Sequence, residues 1–371
     1  MKEQIYIVGS TAHSLINFRL NLIKSLKENN SVTVLSQDFS KEIYKIFKKN
    51  KVNYVPYGLK TFFILNEVFS LLNIIKIFLT KKNVKVLSYT FRGNVYVGLA
   101  SFFNKKLQHY PMITGLGGIF LSKNDSLLNF IIYFFFKYLL KVSLQRSKII
   151  IYQNNYDKNF FKKHIIKKNF LIIPGSGVDL EVYKQKTFPK KITFMMISRI
   201  IKNKGIENFF NVSKKVYKTN NKIKFIFVGN YQKKFSLNEN FLKLKNEHKY
   251  IKILNWKSTA KDLYKKCSVY ILPSKREGMS RTILEAMSSS RPIITTNVPG
   301  CKETVKNGYN GFLVNYNDND ALFEAINKFI KKPYLIKKFG LNSRRRAVKI
   351  FDVNIVNKKI INLLKKNNKV D

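Results

Sequence analysis

The sequence predicts an α/β protein built from two doubly wound parallel sheets in tandem. Three observations carry that reading. The chain has 371 residues, past the size at which one hydrophobic core keeps growing, so length points to two domains of about 150 to 200 residues. Apolar stretches of strand length alternate with amphipathic stretches of helical period, the pattern of βαβ units. The alternation runs twice, interrupted by GSGVDLEVYKQKTFPKK at 175–191, where Gly, Pro and Lys cluster.

In the first series the predicted strands are IYIVGS (5–10), SVTVLS (31–36), VNYVPY (52–57), VKVLSY (84–89), HYPMIT (109–114), KIIIYQ (148–153) and NFLIIPGSGVD (169–179). Helices are expected near 15–29 and 40–49. Two longer apolar stretches, 61–79 and 126–142, are interrupted by Glu67 and Lys76 in one and by Lys137 in the other. They fall short of the roughly 20 apolar residues that span a bilayer. They read either as buried or half-buried helices, or as apolar faces that dock at a membrane interface. The second series comprises ITFMMIS (192–198), a helix over 205–218, KFIFVG (224–229), YIKILNW (250–256), VYILPS (269–274), PIITTN (292–297) and GFLV (311–314). The domains expected are 1–183 and 184–351, with a C-terminal helix over 352–371 packing back on the first.

The composition is that of a folded protein: 45% hydrophobic and 14% aromatic residues, with Lys beside apolar runs rather than in one tail. The 69 Lys and Arg against 21 Asp and Glu give a formal charge of +48. Such a charge attracts polyanions: nucleic acid, an anionic membrane surface or a phosphorylated substrate. It does not choose among them, and part of it reflects a chain-wide preference for Lys. No zinc-finger, RNP-type or basic-zipper pattern accompanies the charge, which argues against a nucleic-acid-binding protein. Cys267 and Cys301 lack metal or disulfide spacing. The N-terminal apolar run is too short for a secretory signal and reads as a first strand, so the expected location is cytoplasmic.

The chemistry concentrates in REGMSRTILEAM (276–287), which follows the strand VYILPS. Ligands of open α/β sheets bind at strand carboxyl ends, where helix N-termini offer free N–H groups. A helix starting near Ser280 makes Gly278, Met279 and Ser280 a ready phosphate site. Glu277 precedes it, and Glu285 lies about 7 to 8 Å along its axis, too far for the two carboxylates to share a proton or a metal. They suit the two ends of an extended ligand whose anionic middle rests on the helix N-terminus. The plainer reading is a loop carboxylate facing the helix dipole and a surface glutamate. ISRIIKNKG (197–205) also joins a strand to a helix, and its Arg199 and Lys204 can converge on a diphosphate.

Together these residues resemble glycosyltransferase family 4, retaining enzymes of GT-B fold with two Rossmann-like domains whose parallel sheets face across a cleft. The resemblance rests on the E-x7-E pair Glu277 and Glu285, the following strand, VPG, E-T-V and NGFLV within 271–314, on SRIIKNKG, and on IPGSGVDLEVY. It implies that Arg199 and Lys204 hold the donor diphosphate, that Glu285 binds the nucleotide ribose, and that Glu277 contacts the transferred sugar, with no metal or other cofactor. STAHSLINFRLNLIKSL (10–26) and ITGLGGIFLS (113–122) narrow the resemblance to members acting on lipid-linked acceptors in polysaccharide or glycan assembly. Ser10, Thr11, His13, Gly115, Gly117 and Gly118 are their candidate cleft residues; a tight turn is the other reading of the glycines, and a lone polar loop residue that of His13.

The chain departs from the pattern at several positions. It has Thr114 and Gly115 where many members carry a His, and His109 lies five residues earlier in a strand. Met279 and Ser280 replace a Leu-Pro pair, and Ser290 replaces a small residue that is often Gly. The function implied is transfer of a hexose or N-acetylhexosamine from a nucleotide sugar, UDP favoured over GDP or ADP, to a polyprenyl-diphosphate-linked saccharide. The site of action implied is the inner face of the cytoplasmic membrane. No nucleophile is evident in the first domain, which favours front-face attack with the departing phosphate taking the acceptor proton. The rival within the fold is a sugar-nucleotide epimerase, whose catalytic carboxylates and His residues find no candidates here.

Overall fold

The computed structural model describes residues 2–59, 63–115, 127–229, 237–255 and 261–366. The chain divides into two compact units, Met1–Ser176 with Val356–Asp371, and Gly177–Ile355. The division falls at 176/177, ahead of the expected 183/184. The physical reason is local: the Val178 N–H donates to the Phe351 carbonyl (2.7 Å) and the Val353 N–H to the Val178 carbonyl (3.0 Å), so the segment after Ser176 is stitched to the end of the second unit.

In the first unit β1 (Glu3–Val8), β2 (Asn30–Ser36), β3 (Asn53–Pro56), β4 (Lys85–Tyr89), β5 (Gln108–Ile113), β6 (Ile150–Tyr152) and β7 (Phe170–Ile172) form a parallel sheet in the order β3-β2-β1-β4-β5-β6-β7. The strands read as continuous apolar runs because both faces are covered. Alternation along β1 makes this concrete. Ile5 and Ile7 enter a core with α1 (Ala12–Lys27), α2 (Lys41–Lys49) and α12 (Val353–Lys366), while Tyr6 and Val8 enter a second core with α3 (Phe63–Leu79), α4 (Phe91–Phe103), α5 (Leu127–Leu144) and α6 (Asn155–His164). Val356, Ile360 and Leu364 make the buried stripe of α12 at helical spacing. Its last turn is held by the buried Lys85, whose ammonium donates to the Leu364 carbonyl (2.5 Å) and pairs with Glu3 (2.6 Å).

α3 and α5 are the two long apolar stretches, and they are half-buried. Ile74, Phe78, Leu140 and Leu144 pack inward, whereas Leu65, Val68, Leu72, Phe130, Ile131, Phe134, Phe135 and Tyr138 face solvent. Among the described residues no helix is long and apolar enough to cross a membrane.

The second unit repeats the scheme. β8 (Thr193–Ile197), β9 (Lys224–Val228), β10 (Ile251–Leu254), β11 (Val269–Leu272), β12 (Ile293–Thr296) and β13 (Gly311–Val314) form a parallel sheet in the order β10-β9-β8-β11-β12-β13. It is flanked by α7 (Ile206–Thr219), α8 (Leu237–Glu247), α9 (Arg281–Ser288), α10 (Asn319–Lys331) and α11 (Tyr334–Arg346). The strand order reverses between β8 and β11, which makes their carboxyl ends the ligand crevice of this unit.

α9 ends in a Schellman motif: the Arg291 N–H reaches the Ala286 carbonyl (2.9 Å) and the Ser290 N–H the Met287 carbonyl (3.0 Å). That geometry puts Ser290 at φ 61, a left-handed conformation that favours glycine. Arg291 is fully buried; it donates twice, at 2.8 Å, to the Lys186 and Thr187 carbonyls and stacks on Phe188. Replacing Ser290 by Gly removes both the strained φ and a buried hydroxyl that has no partner among the described residues. We expect Ser290→Gly to stabilise the protein by about 0.5 to 1 kcal/mol, read as a rise of about 1 to 4 °C in thermal midpoint; a fall would contradict this account of the α9 terminus.

Candidate functional site

Three loops at the carboxyl ends of β8, β11 and β12 close on one another through backbone contacts. The Lys275 N–H and the Ser274 hydroxyl both donate to the Asn203 carbonyl at 2.9 Å. The Glu277 N–H donates to the Pro299 carbonyl (3.0 Å) and the Ser280 N–H to the Gly300 carbonyl (3.1 Å). Two glycines permit this approach. Gly205, at φ 71, lies so close to Pro273 that a Cβ would sit 2.1 Å from its carbonyl oxygen. Gly300, at φ 79, would place one 2.2 Å from the Glu277 carbonyl oxygen. Any other residue at either position would push the loops apart.

The result is an ion pair between residues 73 positions apart: Lys204 Nζ lies 2.5 Å from Glu277 Oε1, with side chains 16% and 12% exposed. The Ser274 hydroxyl lies 2.8 Å from the same oxygen, so its one proton is shared between Glu277 and the Asn203 carbonyl. Arg199, at the end of β8, is exposed, and its side chain has no hydrogen-bond or ion-pair partner among the described residues. The structure thus joins Lys204 to Glu277 rather than to Arg199. A cation balanced by a carboxylate can be claimed by an anionic ligand, which frees the carboxylate to accept from hydroxyl groups.

α9 begins one residue after Ser280, as the sequence predicts, yet Ser280 does not cap it through its side chain. Its hydroxyl faces that of Thr282 at 3.3 Å. The first intrahelical bond is Leu284 N–H to the Ser280 carbonyl (3.2 Å), so the N–H groups of Arg281, Thr282 and Ile283 precede the helical ladder. With Gly278 and Met279 leading into it, this terminus has the donors and dipole that suit a phosphate. One turn inside, Glu285 is buried, which removes the surface-glutamate reading. Arg281 Nε donates to its Oε1 at 2.9 Å and the Tyr264 hydroxyl to its Oε2 at 3.1 Å. Burial pushes the Glu285 carboxyl pKa up, and the Arg281 charge opposes the shift. The neighbouring Cys301 and the remoter Cys267 are buried thiols pushed up to about 12, so neither supplies a thiolate.

In the first unit Ser10 and Thr11 hold structural positions. The Ser10 hydroxyl lies 2.5 Å from that of Thr90 at the β1/β4 switch point, and its N–H donates to the same oxygen (3.2 Å). Thr11 caps α1 by accepting from the Ser14 N–H (3.3 Å). His13 is not a loop residue; it is an exposed residue in the first turn of α1, because the helix starts at Ala12. His109 is buried in β5, bonded through Nε2 to the Ser88 hydroxyl (2.7 Å), and burial lowers its pKa to about 3, which keeps it neutral. Gly115 follows β5 at φ 126, and Gly117 and Gly118 lie outside the described residues.

Residues 179–346 match the family model for glycosyl transferases group 1. The second unit therefore carries a glycosyl transferases group 1 domain. The matched segment lies within the second unit and contains Arg199, Lys204, Glu277 and Glu285. The chain is similar over nearly its whole length to two curated proteins. One is the capsular polysaccharide biosynthesis glycosyltransferase CapM of Staphylococcus aureus, 24% identical over 96% of this chain and 95% of that protein. The other is the N,N'-diacetylbacillosaminyl-diphospho-undecaprenol alpha-1,3-N-acetylgalactosaminyltransferase of Campylobacter jejuni, 23% identical over 96% and 97%. Among solved structures, a glycosyltransferase from Rickettsia africae superposes with a TM-score of 0.79 at 18% identity, covering all of both chains. HepE of Anabaena in complex with UDP-glucose gives 0.80 at 15% identity, covering 98% of this chain and 99% of that one. These likenesses place the chain in the GT-B fold.

Sequence reasoning missed one polar cluster, at the carboxyl edge of the first sheet. Glu67 of α3 accepts from Arg92 Nε (2.9 Å) and from the Tyr96 hydroxyl, both on α4, and Gln37 after β2 donates to Ser70 (3.1 Å). The signal was present: Glu67 is the one acid in an otherwise apolar run.

Proposed function

We propose that this protein is a retaining glycosyltransferase that moves a hexose or N-acetylhexosamine from a UDP-sugar to a polyprenyl-diphosphate-linked saccharide in cell-surface polysaccharide synthesis. The observation that carries the reading is the Lys204–Glu277 pair beside the α9 N-terminus, with Glu285 held one turn inside. A nucleoside diphosphate sugar presents groups in that order: sugar, diphosphate, ribose. The relatives support the acceptor class, since one is named for a diphospho-undecaprenol substrate and another for capsule synthesis. The UDP-glucose complex of HepE supports the donor.

In this reading Glu277 grips a hydroxyl of the transferred sugar while Lys204, Arg199 and the α9 N–H groups take the diphosphate. The bond between the anomeric carbon and the phosphate oxygen breaks as the acceptor oxygen attacks from the same face, and the departing phosphate oxygen takes the acceptor proton. The protein contributes positioning and stabilisation of the leaving charge, and the reading requires no metal. Lys204→Met is expected to lower kcat/KM for UDP release from the true UDP-sugar by about 10²- to 10³-fold and to weaken UDP in an equilibrium titration. Unchanged UDP affinity in this variant would count against the assignment.

The reading also places the protein on the inner face of the cytoplasmic membrane. The exposed apolar residues of α3 and α5, among them Leu65, Leu72, Phe130, Phe135 and Tyr138, supply a face for the interfacial region, and a chain of charge +48 is drawn to anionic lipid. Flotation with anionic vesicles should recover the protein, with recovery falling as salt rises and falling further for Phe135→Ser with Tyr138→Ser. No association at low salt would contradict docking.

A further inference from the structure

Glu285 can grip a diol only if its carboxylate is ionised, fixed in one orientation and not already saturated. Two neighbours to which the sequence reading gave no role, Tyr264 and Arg281, bear on the orientation and charge of that carboxylate. An ionised carboxylate has about four acceptor positions, two on each oxygen. One on Oε1 is taken by Arg281 Nε (2.9 Å) and one on Oε2 by the Tyr264 hydroxyl (3.1 Å). The Tyr183 side chain is hydrogen-bonded to the same carboxylate, so three neighbours fix its orientation and part of its acceptor capacity is left for a ligand hydroxyl.

Tyr264 and Arg281 differ in kind. Tyr264 is fully buried, so it cannot touch a ligand itself and acts only through Glu285. Its ring is locked edge-on to Tyr183 (6.0 Å between centroids) and tilted on Tyr270 (6.1 Å), and its hydroxyl also meets the Thr282 carbonyl at 3.0 Å. Tyr264 sits 21 residues before Glu285, in the short helical turn 264–266 ahead of β11, so its placement depends on the folded unit and not on local sequence. Arg281 lies four residues before Glu285 on the same helix and is 25% exposed, against 5% for the Glu285 side chain. Its fixed charge opposes the burial that favours a neutral carboxyl. Tyr183 completes the enclosure: it lies against both Glu285 and Arg281, and its backbone carbonyl accepts from Arg344 at 3.2 Å.

We infer that Tyr264 and Arg281 are positioning residues for Glu285, orienting its carboxylate so that its remaining acceptor capacity faces the hydroxyls of the donor ribose. The inference rests on the reading of Glu285 as the ribose grip given above, and extends it to the residues that make the grip selective for a ribonucleotide.

The test titrates UDP and 2'-deoxy-UDP into the full-length wild type, Tyr264→Phe, Arg281→Met and Glu285→Gln, with thermal midpoints recorded for the unliganded proteins. A hydrogen bond to a charged group corresponds to roughly ten- to a hundred-fold in affinity, so the wild type should prefer UDP by at least about ten-fold. Tyr264→Phe and Arg281→Met should each reduce that preference to about three-fold or less while 2'-deoxy-UDP binds within about two-fold of wild type. A merely structural role would weaken both ligands equally, and that result, or an unchanged preference in both variants, would overturn the inference. If the wild type does not discriminate, or Glu285→Gln keeps the discrimination, the ribose reading of Glu285 fails and the inference with it. Discrimination lost in Glu285→Gln but kept in both other variants defeats the inference alone.

Discussion

The close backbone approach of three loops at the carboxyl ends of β8, β11 and β12 is the constraint on which the site depends. Gly205 against Pro273 and Gly300 against Glu277 leave no room for a Cβ, and the hydrogen bonds from Lys275, Ser274, Glu277 and Ser280 fill what remains. Because these contacts are backbone to backbone or to a short hydroxyl, they fix the Cα positions of residues 204 and 277 with little side-chain freedom. The ion pair between Lys204 and Glu277 follows from that placement. A pair this poorly exposed leaves a costly unbalanced charge if one partner is removed. An anionic ligand is the natural replacement partner for Lys204.

The charge balance of the chain takes on a different meaning in this light. With 69 basic and 21 acidic residues, a carboxylate in a site has to be held deliberately. Each one here is. Glu277 has an ammonium and a hydroxyl, Glu285 a guanidinium and a tyrosine, and Glu67 in the first unit a guanidinium and another tyrosine. Asp38 is likewise engaged, by the first N–H of α1. Apart from the buried Arg19, Lys85 and Arg291, the cations of the described residues are at least partly exposed, where they bear on association with anionic partners more than on folding.

Much of the fold was legible because parallel strands buried on both faces leave continuous apolar runs, and every predicted strand has a counterpart in one of the two sheets. The α9 site was legible for a related reason: Ser280, Glu277 and Glu285 lie on one local stretch, so helical geometry alone relates them. What was not legible depends on long-range contact. Nothing in the spacing of Arg199 and Lys204 says that Lys204 turns to Glu277, 73 positions away, because that choice is made by loop docking. Tyr264 was silent for the same reason, and the joint at 176/177 is set by a bridge between Val178 and Asp352. His13 was misread by one turn: α1 begins at Ala12, whose N–H donates to Asp38, a residue supplied by another loop.

The central claim is that the loops around β8, β11 and β12 build a diphosphate site between a sugar grip and a ribose grip. Calorimetric titration of uridine, UMP and UDP into the wild-type protein tests it most directly. If Lys204, Arg199 and the α9 N-terminus hold the diphosphate, the step from UMP to UDP should carry a gain of at least about ten-fold in affinity, about 1.4 kcal/mol, and the gain should shrink with added salt. UMP binding as tightly as UDP would contradict the account.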